Sequence, residues 1–88
     1  MNNIRNLLLG AVLVMSASAH AQECYDLSGP SSWISLVCLH PDGRMLIRMQ
    51  GNDYVFCGVP SWVFAGLVSA ASPGSYYDTH IRGRYSCY

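Results

Sequence analysis

The stretch 33-WISLVCLHPDGRMLIRMQGNDYVFC-57 decides the fold, because it holds three apolar segments separated by two turns. Residues 33–40 are rich in apolar and β-branched side chains and are predicted as a strand. Residues 45–50 alternate apolar and polar side chains with the period of two that marks a half-buried strand. Residues 54–57 (YVFC) are predicted as a third strand. The turn sequences PDG at 41–43 and GND at 51–53 are short, so the stretch predicts a three-stranded antiparallel meander.

The residues that follow the meander predict two helices. Ser61 is the expected N-cap of a helix over residues 62–71, where apolar positions recur at helical spacing. Residues 72–74 (SPG) are expected to end that helix, and residues 75–81 to form a short second helix or turn. Residues 22–32 are expected to be a polar lead-in. The predicted fold class is therefore α+β: a small disulfide-stapled meander followed by a helix and a short second helix (β-β-β-α-α).

The N-terminal segment has the three parts of a secretory signal peptide. Arg5 is its positive charge, residues 7–15 (LLLGAVLVM) are its apolar run, and cleavage fits after Ala21 or after Ala19. The apolar run is shorter than the roughly 20 residues of a spanning helix. The residues before Cys24 lack the small apolar side chains of a lipoprotein signal. We expect a signal peptide over residues 1–21, one domain over residues 22–88 and no stable membrane insertion after cleavage.

The size of the remaining chain and its cysteines point to disulfides. About 67 residues remain once 21 of the 88 are removed, and a domain of that size has a marginal core. All four cysteines follow the predicted cleavage site, namely Cys24, Cys38, Cys57 and Cys87. An even number in an exported chain predicts two disulfides, and the absence of a C-x-x-C pair disfavours a metal site. Joining Cys24 to Cys87 would constrain the unfolded chain most. The pairing Cys24–Cys38 with Cys57–Cys87 would instead tie each terminus to a strand. The sequence does not choose among the three possible pairings.

Motifs along residues 31–85 stand in a distinctive order: SSWI at 31–34, YVF at 54–56, GVP at 58–60, SPGSYY at 72–77 and DTHIRGRY at 78–85. This order resembles the KTSC domain, which is named for the C-terminus of some lysyl-tRNA synthetases and more often occurs alone in small bacterial and phage proteins. The family-motif core maps to Tyr54, Phe56, Val59 and Pro60, with Phe56 replacing a family tyrosine. The resemblance implies a fold but no established activity, although RNA binding has been suggested for the family.

The C-terminal segment holds the candidate binding residues. These are Tyr76, Tyr77, His80, Arg82, Arg84 and Tyr85. Arginine presents a planar fork of donors that suits carboxylates and phosphates, and the tyrosines flank it with rings. The structural alternative is that Arg82 or Arg84 pairs with Asp78 or binds the last carbonyls of the short helix.

The aromatic residues of the meander have two interpretations. Tyr54 and Phe56 share one side of their strand and are expected to pack beneath the first helix. Exposed rings would instead form a stacking platform for nucleic-acid bases. Trp33 and Trp62 are expected in the core or at its rim.

Composition and the absence of a catalytic constellation narrow the function. The chain after residue 21 has four arginines, no lysine and five acidic residues, which is not the basic footprint of a nucleic-acid-binding protein. An acid–base pair of His40 or His80 with Asp78 is disfavoured, since Asp78 and His80 are two apart and diverge on a helix. We therefore expect a periplasmic or secreted, non-enzymatic interaction module without cofactor or metal, which binds an unknown protein or cell-envelope ligand. The alternative is binding of single-stranded RNA or DNA, which the charge disfavours.

Overall fold

The computed structural model describes residues 22–87, so the predicted signal peptide lies outside the described residues. The elements are β1 (Glu23–Asp26), β2 (Ile34–Leu39), β3 (Met45–Met49), β4 (Asn52–Phe56), α1 (Ser61–Ser69) and α2 (Pro73–His80). The strands form one antiparallel sheet in the order β1-β2-β3-β4. A meander followed by two helices was predicted correctly, but the predicted count of three strands is wrong, because the described chain has four.

The strand that the sequence did not indicate is β1, which lies within the predicted polar lead-in. All four of its residues are exposed, so no alternation of buried and exposed side chains marks it. It pairs with β2 in a register that sets Cys24 opposite Cys38. Pairing with β2 and the Cys24–Cys38 disulfide hold β1 at the edge of the sheet, together with a contact between the Tyr25 and Phe64 rings at a centroid distance of 5.7 Å.

The second turn lies one residue earlier than predicted. Gln50 and Gly51 are its central residues, with φ of 52° and 81°. Two successive positive φ angles are typical of the two-residue hairpin turn whose twist matches that of the flanking strands. As a result, β4 begins at Asn52, and Met49 and Asn52 face each other across the hairpin.

The core lies between the sheet and the two helices. Met45, Ile47 and Met49 alternate along β3 and are buried as predicted. On β2, Ile34 and Val37 are three residues apart, yet both are buried, because the register with β3 shifts between residues 34 and 36. The fully buried side chains contributed by the rest of the chain are Val63, Leu67, Pro73 and Ile81.

The helix boundaries differ from the predicted ones at both ends. Ser61 is the first residue of α1 rather than its N-cap, and the N-cap is Pro60, without a side-chain hydrogen bond. The SPG sequence at 72–74 starts α2 instead of only ending α1. The Ser72 Oγ accepts a hydrogen bond from the Ser75 N–H at 3.4 Å, and Pro73 follows at the first helical position, where its missing N–H costs nothing.

The disulfides are Cys24–Cys38 and Cys57–Cys87, so each terminus of the described chain is tied to a strand. No cysteine in residues 22–87 is free. A bridge between Cys24 and Cys87 is excluded by the sheet order. Cys24 lies on the β1 edge and Cys87 beside β4, three strand spacings or about 14 Å away, whereas the Cα atoms of a disulfide lie within about 7 Å.

Candidate binding groove

The start of α2 packs closely against the indole ring of Trp33. Gly74 is buried, and a Cβ atom on it would lie 2.7 Å from the Trp33 Nε1. Only glycine leaves room for this approach. The SPG part of the sequence motif therefore serves to start a helix and to seat Trp33, which is half-buried against the core.

Tyr76 and His80 lie on the side of α2 that faces α1. A Cβ atom at Gly66 of α1 would collide with the phenol of Tyr76, so the two helices are in close contact there. The Tyr76 and His80 rings stack with centroids 4.2 Å apart and planes inclined by 21°. Burial raises the pKa of Tyr76. Tyr76 is thus occupied with helix packing, and the exposed His80 ring stacks on it.

Tyr77 is the residue on which the other aromatic side chains converge. Its ring meets those of Trp33 and Phe56 edge to face, at centroid distances of 5.8 and 6.1 Å. The Arg82 guanidinium carbon lies 5.9 Å from the Tyr77 ring centroid. Tyr77 is buried itself, so it forms the floor rather than the rim of a surface depression.

The segment after α2 returns to the sheet beside β4. The Arg84 N–H donates to the Ile81 carbonyl at 2.9 Å, and the Tyr85 carbonyl accepts from the Cys57 N–H at 2.8 Å. Tyr85 has a positive φ of 62° and packs against the core. The Cys57–Cys87 bridge then closes the connection. The backbone of Arg84 is therefore held between its hydrogen bond to buried Ile81 and the disulfide at Cys87, and its side chain is exposed.

Two clefts meet at Tyr54 and Tyr77, and together we call them the tyrosine groove. The first has a volume of about 570 Å³, and its lining residues include Trp33, Met49, Gln50 and Arg82. The second has a volume of about 730 Å³, and its lining residues include Arg44, Val55, Phe56 and Arg84. Each volume is in the range of pockets that hold small ligands or a few side chains of a partner.

Tyr54 is the exposed aromatic residue at the centre of the groove. It lies opposite Ile47 on the helix-facing side of the sheet, as Phe56 lies opposite Met45. Phe56 packs against the core, but Tyr54 keeps 46% of its surface exposed. The prediction set both rings beneath the first helix, whereas the aromatic neighbour of Phe56 is Tyr77 of α2 and Tyr54 is exposed.

The charged side chains that line the groove are all arginines. Arg82, Arg44 and Arg84 line it, and the residues around the two clefts include no aspartate or glutamate. Arg82 pairs with Asp78 at 3.1 Å and Arg44 with Asp42 at 2.9 Å, both in exposed positions.

Arg84 differs from the other arginines of residues 22–87 because it has no carboxylate partner there. The fourth arginine, Arg48, pairs with Asp53 at 2.7 Å and lines neither cleft. The groove is therefore an electropositive place on a domain with more acidic than basic residues.

Val59 and Pro60, the remaining residues of the predicted motif core, have structural roles. Val59 is buried, and its N–H donates to the Gly43 carbonyl at 2.9 Å, which fastens the chain after β4 to the first turn. The Pro60 carbonyl accepts from the Val63 N–H at 3.0 Å in the first turn of α1. Neither residue lines the tyrosine groove.

A family model of the KTSC domain matches residues 31–85. The chain belongs to the KTSC domain family. Comparison with curated proteins and comparison with solved structures each find no match. The KTSC segment contains Cys38 and Cys57, whereas Cys24 and Cys87 lie in the flanks. Both disulfides therefore fasten a flanking segment to the KTSC domain, one at each edge of the sheet.

The structure gathers only some of the predicted binding residues of this KTSC domain. Tyr77, Arg82 and Arg84 line the groove, whereas Tyr76, His80 and Tyr85 line neither of its clefts. The lining residues that were not predicted as binding residues include Trp33, Arg44 and Gln50. The strand register explains why Arg44 lines the groove. Met45 pairs with Phe56, so Arg44, the residue before Met45, lies beside the end of β4, where the second cleft begins.

A third, apolar cleft lies between α1 and the edge of the sheet at β1. Its volume is about 410 Å³, and Tyr25, Trp62 and Val68 are among its lining residues. Trp62 keeps 64% of its surface exposed, so it lies at the rim and not in the core. Glu23 is the one charged residue of this lining, which gives the cleft no attraction for anions.

Two further properties concern residues 22–87, which include the KTSC domain. No helix in that range has the length and apolarity that crossing a membrane requires. No group of three or more histidine, cysteine, aspartate or glutamate residues in the same range is placed to hold a metal ion.

Proposed function

We propose that this KTSC domain is a non-enzymatic binding module that acts outside the cytoplasm and holds an anionic ligand in the tyrosine groove. The observation that carries the proposal is the charge of the groove: arginines alone supply it, on a domain that is otherwise slightly acidic. Exposed Tyr54 beside these arginines adds apolar contact area, and tyrosine and arginine are the residue types that dominate binding energy at protein interfaces.

The proposed compartment is the periplasm or the extracellular space. Two disulfides with no free cysteine in residues 22–87 suit an oxidising environment, since cytosolic proteins rarely keep structural disulfides. The N-terminal signal pattern supports the same compartment from the sequence.

The absence of catalytic chemistry from the groove supports binding over catalysis. A general acid or base must lie within hydrogen-bond reach of the reacting group. No histidine, aspartate or glutamate is among the residues that line the two clefts. His80 stacks on Tyr76 and lines neither cleft. Asp42 and Asp78, which pair with groove arginines, are exposed and are not among the lining residues.

The test is capture of partners from an extracytoplasmic extract. The bait is the protein exported from the full chain, compared with an Arg82→Ala/Arg84→Ala variant and with Arg48→Ala, whose arginine lies outside the groove. We expect the wild type and Arg48→Ala to retain the same specific partner and the double variant to lose it, with circular dichroism confirming that all three are folded. Retention of every specific partner by the double variant would refute the proposed groove.

A further inference from the structure

We propose that the ligand of the tyrosine groove is an extended polypeptide segment that sets one carboxylate at Arg84 and an apolar side chain against Tyr54 and Trp33. The inference rests on the proposed function and adds the chemical class of the partner. Three properties of the groove lead to it: the net charge of its lining, the chemistry of its first cleft and the junction between its two clefts.

The charge of the lining matches a partner with a single negative charge at the groove. Arg82 and Arg44 are each neutralised by a carboxylate of this chain, Asp78 at 3.1 Å and Asp42 at 2.9 Å. Three arginines with two such partners leave one uncompensated positive charge, and within residues 22–87 it is that of Arg84. An arginine without a carboxylate partner is free to form a bidentate pair with an incoming carboxylate.

A nucleic acid makes a poor match for the same lining. Single strands carry one phosphate per nucleotide, and their affinity comes largely from several phosphates neutralised by lysine or arginine. Here one uncompensated arginine would face several phosphates, on a domain whose acidic residues outnumber its basic ones. A polypeptide spaces its charges widely and brings apolar side chains between them.

The first cleft has the chemistry that a peptide side chain and its backbone require. Trp33, Met49, Tyr54 and Tyr77 supply apolar and aromatic surface. Gln50, at the tip of the hairpin, carries an amide with both donors and an acceptor, which suits a peptide group. Burial of one apolar side chain there adds affinity without a need for charge.

The junction of the clefts sets the shape of the partner. Tyr54 and Tyr77 line both clefts, so a ligand that reaches from Trp33 to Arg84 crosses them in an elongated form. An extended segment of a few residues fits this path, with its apolar side chain and its carboxylate at opposite ends.

The experiment uses amide NMR of the protein exported from the full chain. The probes are acetylated, amidated peptides with an N-terminal Trp and a C-terminal Glu separated by one, two or three glycines. Each has a matched control that ends in Gln, which is neutral but of the same shape. An oligothymidine serves as the nucleic-acid probe.

We expect at least one Glu peptide to shift the amides of Tyr54, Tyr77 and Arg84 and to bind roughly 5- to 20-fold more tightly than its Gln control, as expected for one charge-assisted hydrogen-bonded pair. Arg84→Gln should remove this preference, and Arg48→Gln should leave it unchanged. Equal binding of Glu and Gln peptides, or no shift of the groove amides with any peptide, overturns the inference.

The oligothymidine separates failure of the inference from failure of the proposed function. If it shifts the groove amides in an Arg84-dependent manner while the peptides do not, the groove binds anions but the polypeptide partner is wrong. If no anionic probe moves these amides, the inference and the proposed function both fail.

Discussion

Breaking the Cys57–Cys87 bridge should destabilise the domain more than breaking Cys24–Cys38. The two bridges close loops of different length, with sequence separations of 30 and 14 residues. Treating each bridge as a constraint on the unfolded chain, the longer loop contributes about 3.6 kcal/mol and the shorter one about 3.0 kcal/mol at room temperature. A domain of this size has a total stability of only about 3–10 kcal/mol, so either loss is severe.

Variants that retain a single bridge measure the contribution of that bridge to the free energy of unfolding, separately from any change in packing caused by the substitutions. Cys24→Ala/Cys38→Ala retains the longer bridge, and Cys57→Ala/Cys87→Ala retains the shorter one. For each variant, the free energy of unfolding in urea is measured with the remaining bridge oxidised and again after reduction. The difference isolates that bridge, because the two states of a variant have the same amino-acid sequence and differ only in whether the remaining bridge is formed.

Hydrogen exchange adds a local readout to the same experiment. The Cys57 N–H donates to the Tyr85 carbonyl at 2.8 Å, and the Cys57–Cys87 disulfide joins the same two segments of the chain. Reduction of Cys57–Cys87 should therefore expose the Cys57 amide to exchange before the amides of β2 and β3. The reasoning is refuted if reduction of the shorter bridge costs more, or if reduction of the longer bridge costs less than about 1 kcal/mol.

Two other substitutions test the packing and the surface charges. Gly66→Ala should destabilise the domain by about 1–2 kcal/mol, because its Cβ would collide with the Tyr76 phenol. In a Tyr76→Ala background the same change should stabilise the domain by up to about 1 kcal/mol, because alanine has the higher helix propensity. A loss of stability in both backgrounds would contradict the assigned contact. A hydrogen bond from Arg48 lowers the pKa of Asp53 below its ordinary value of 3.8, so the stabilisation from this pair is present above that value and is lost as pH falls through the lower folded pKa. The difference in urea midpoint between wild type and Asp53→Asn should therefore shrink at strongly acidic pH, and a constant difference would show that the pair does not stabilise the fold.

Patterns of side-chain type were sufficient to predict β2, β3 and β4. Their apolar residues are interrupted by turn sequences, and the buried alternation of Met45, Ile47 and Met49 follows from the period of a strand. β1 could not be predicted from side-chain patterns, because its four residues are all exposed and show no alternation of buried and exposed positions. What creates β1 is a long-range pairing that sets Cys24 opposite Cys38, and such pairing is not encoded in local periodicity.

The candidate site was predicted only in part, because neighbours in sequence diverge on a helix. Tyr76 and His80 are four residues apart and share the side of α2 that faces α1, whereas Tyr77 points about 100° away and lines the groove. Reading the segment as one cluster therefore mixed packing residues with groove residues. Helical geometry applied to the same letters would have separated them, but Trp33 and Gln50 enter the groove only through the tertiary fold.

Some groove residues also stabilise the fold and others do not, and this difference decides which substitution tests function best. Tyr77 belongs to the core and touches Trp33 and Phe56, so its loss would disturb the fold as well as the groove. Arg84 has an exposed side chain, and its fixed position comes from its backbone and from the bridge at Cys87. Loss of binding in Arg84→Gln with unchanged stability would therefore separate recognition from folding, as no substitution of Tyr77 is able to do.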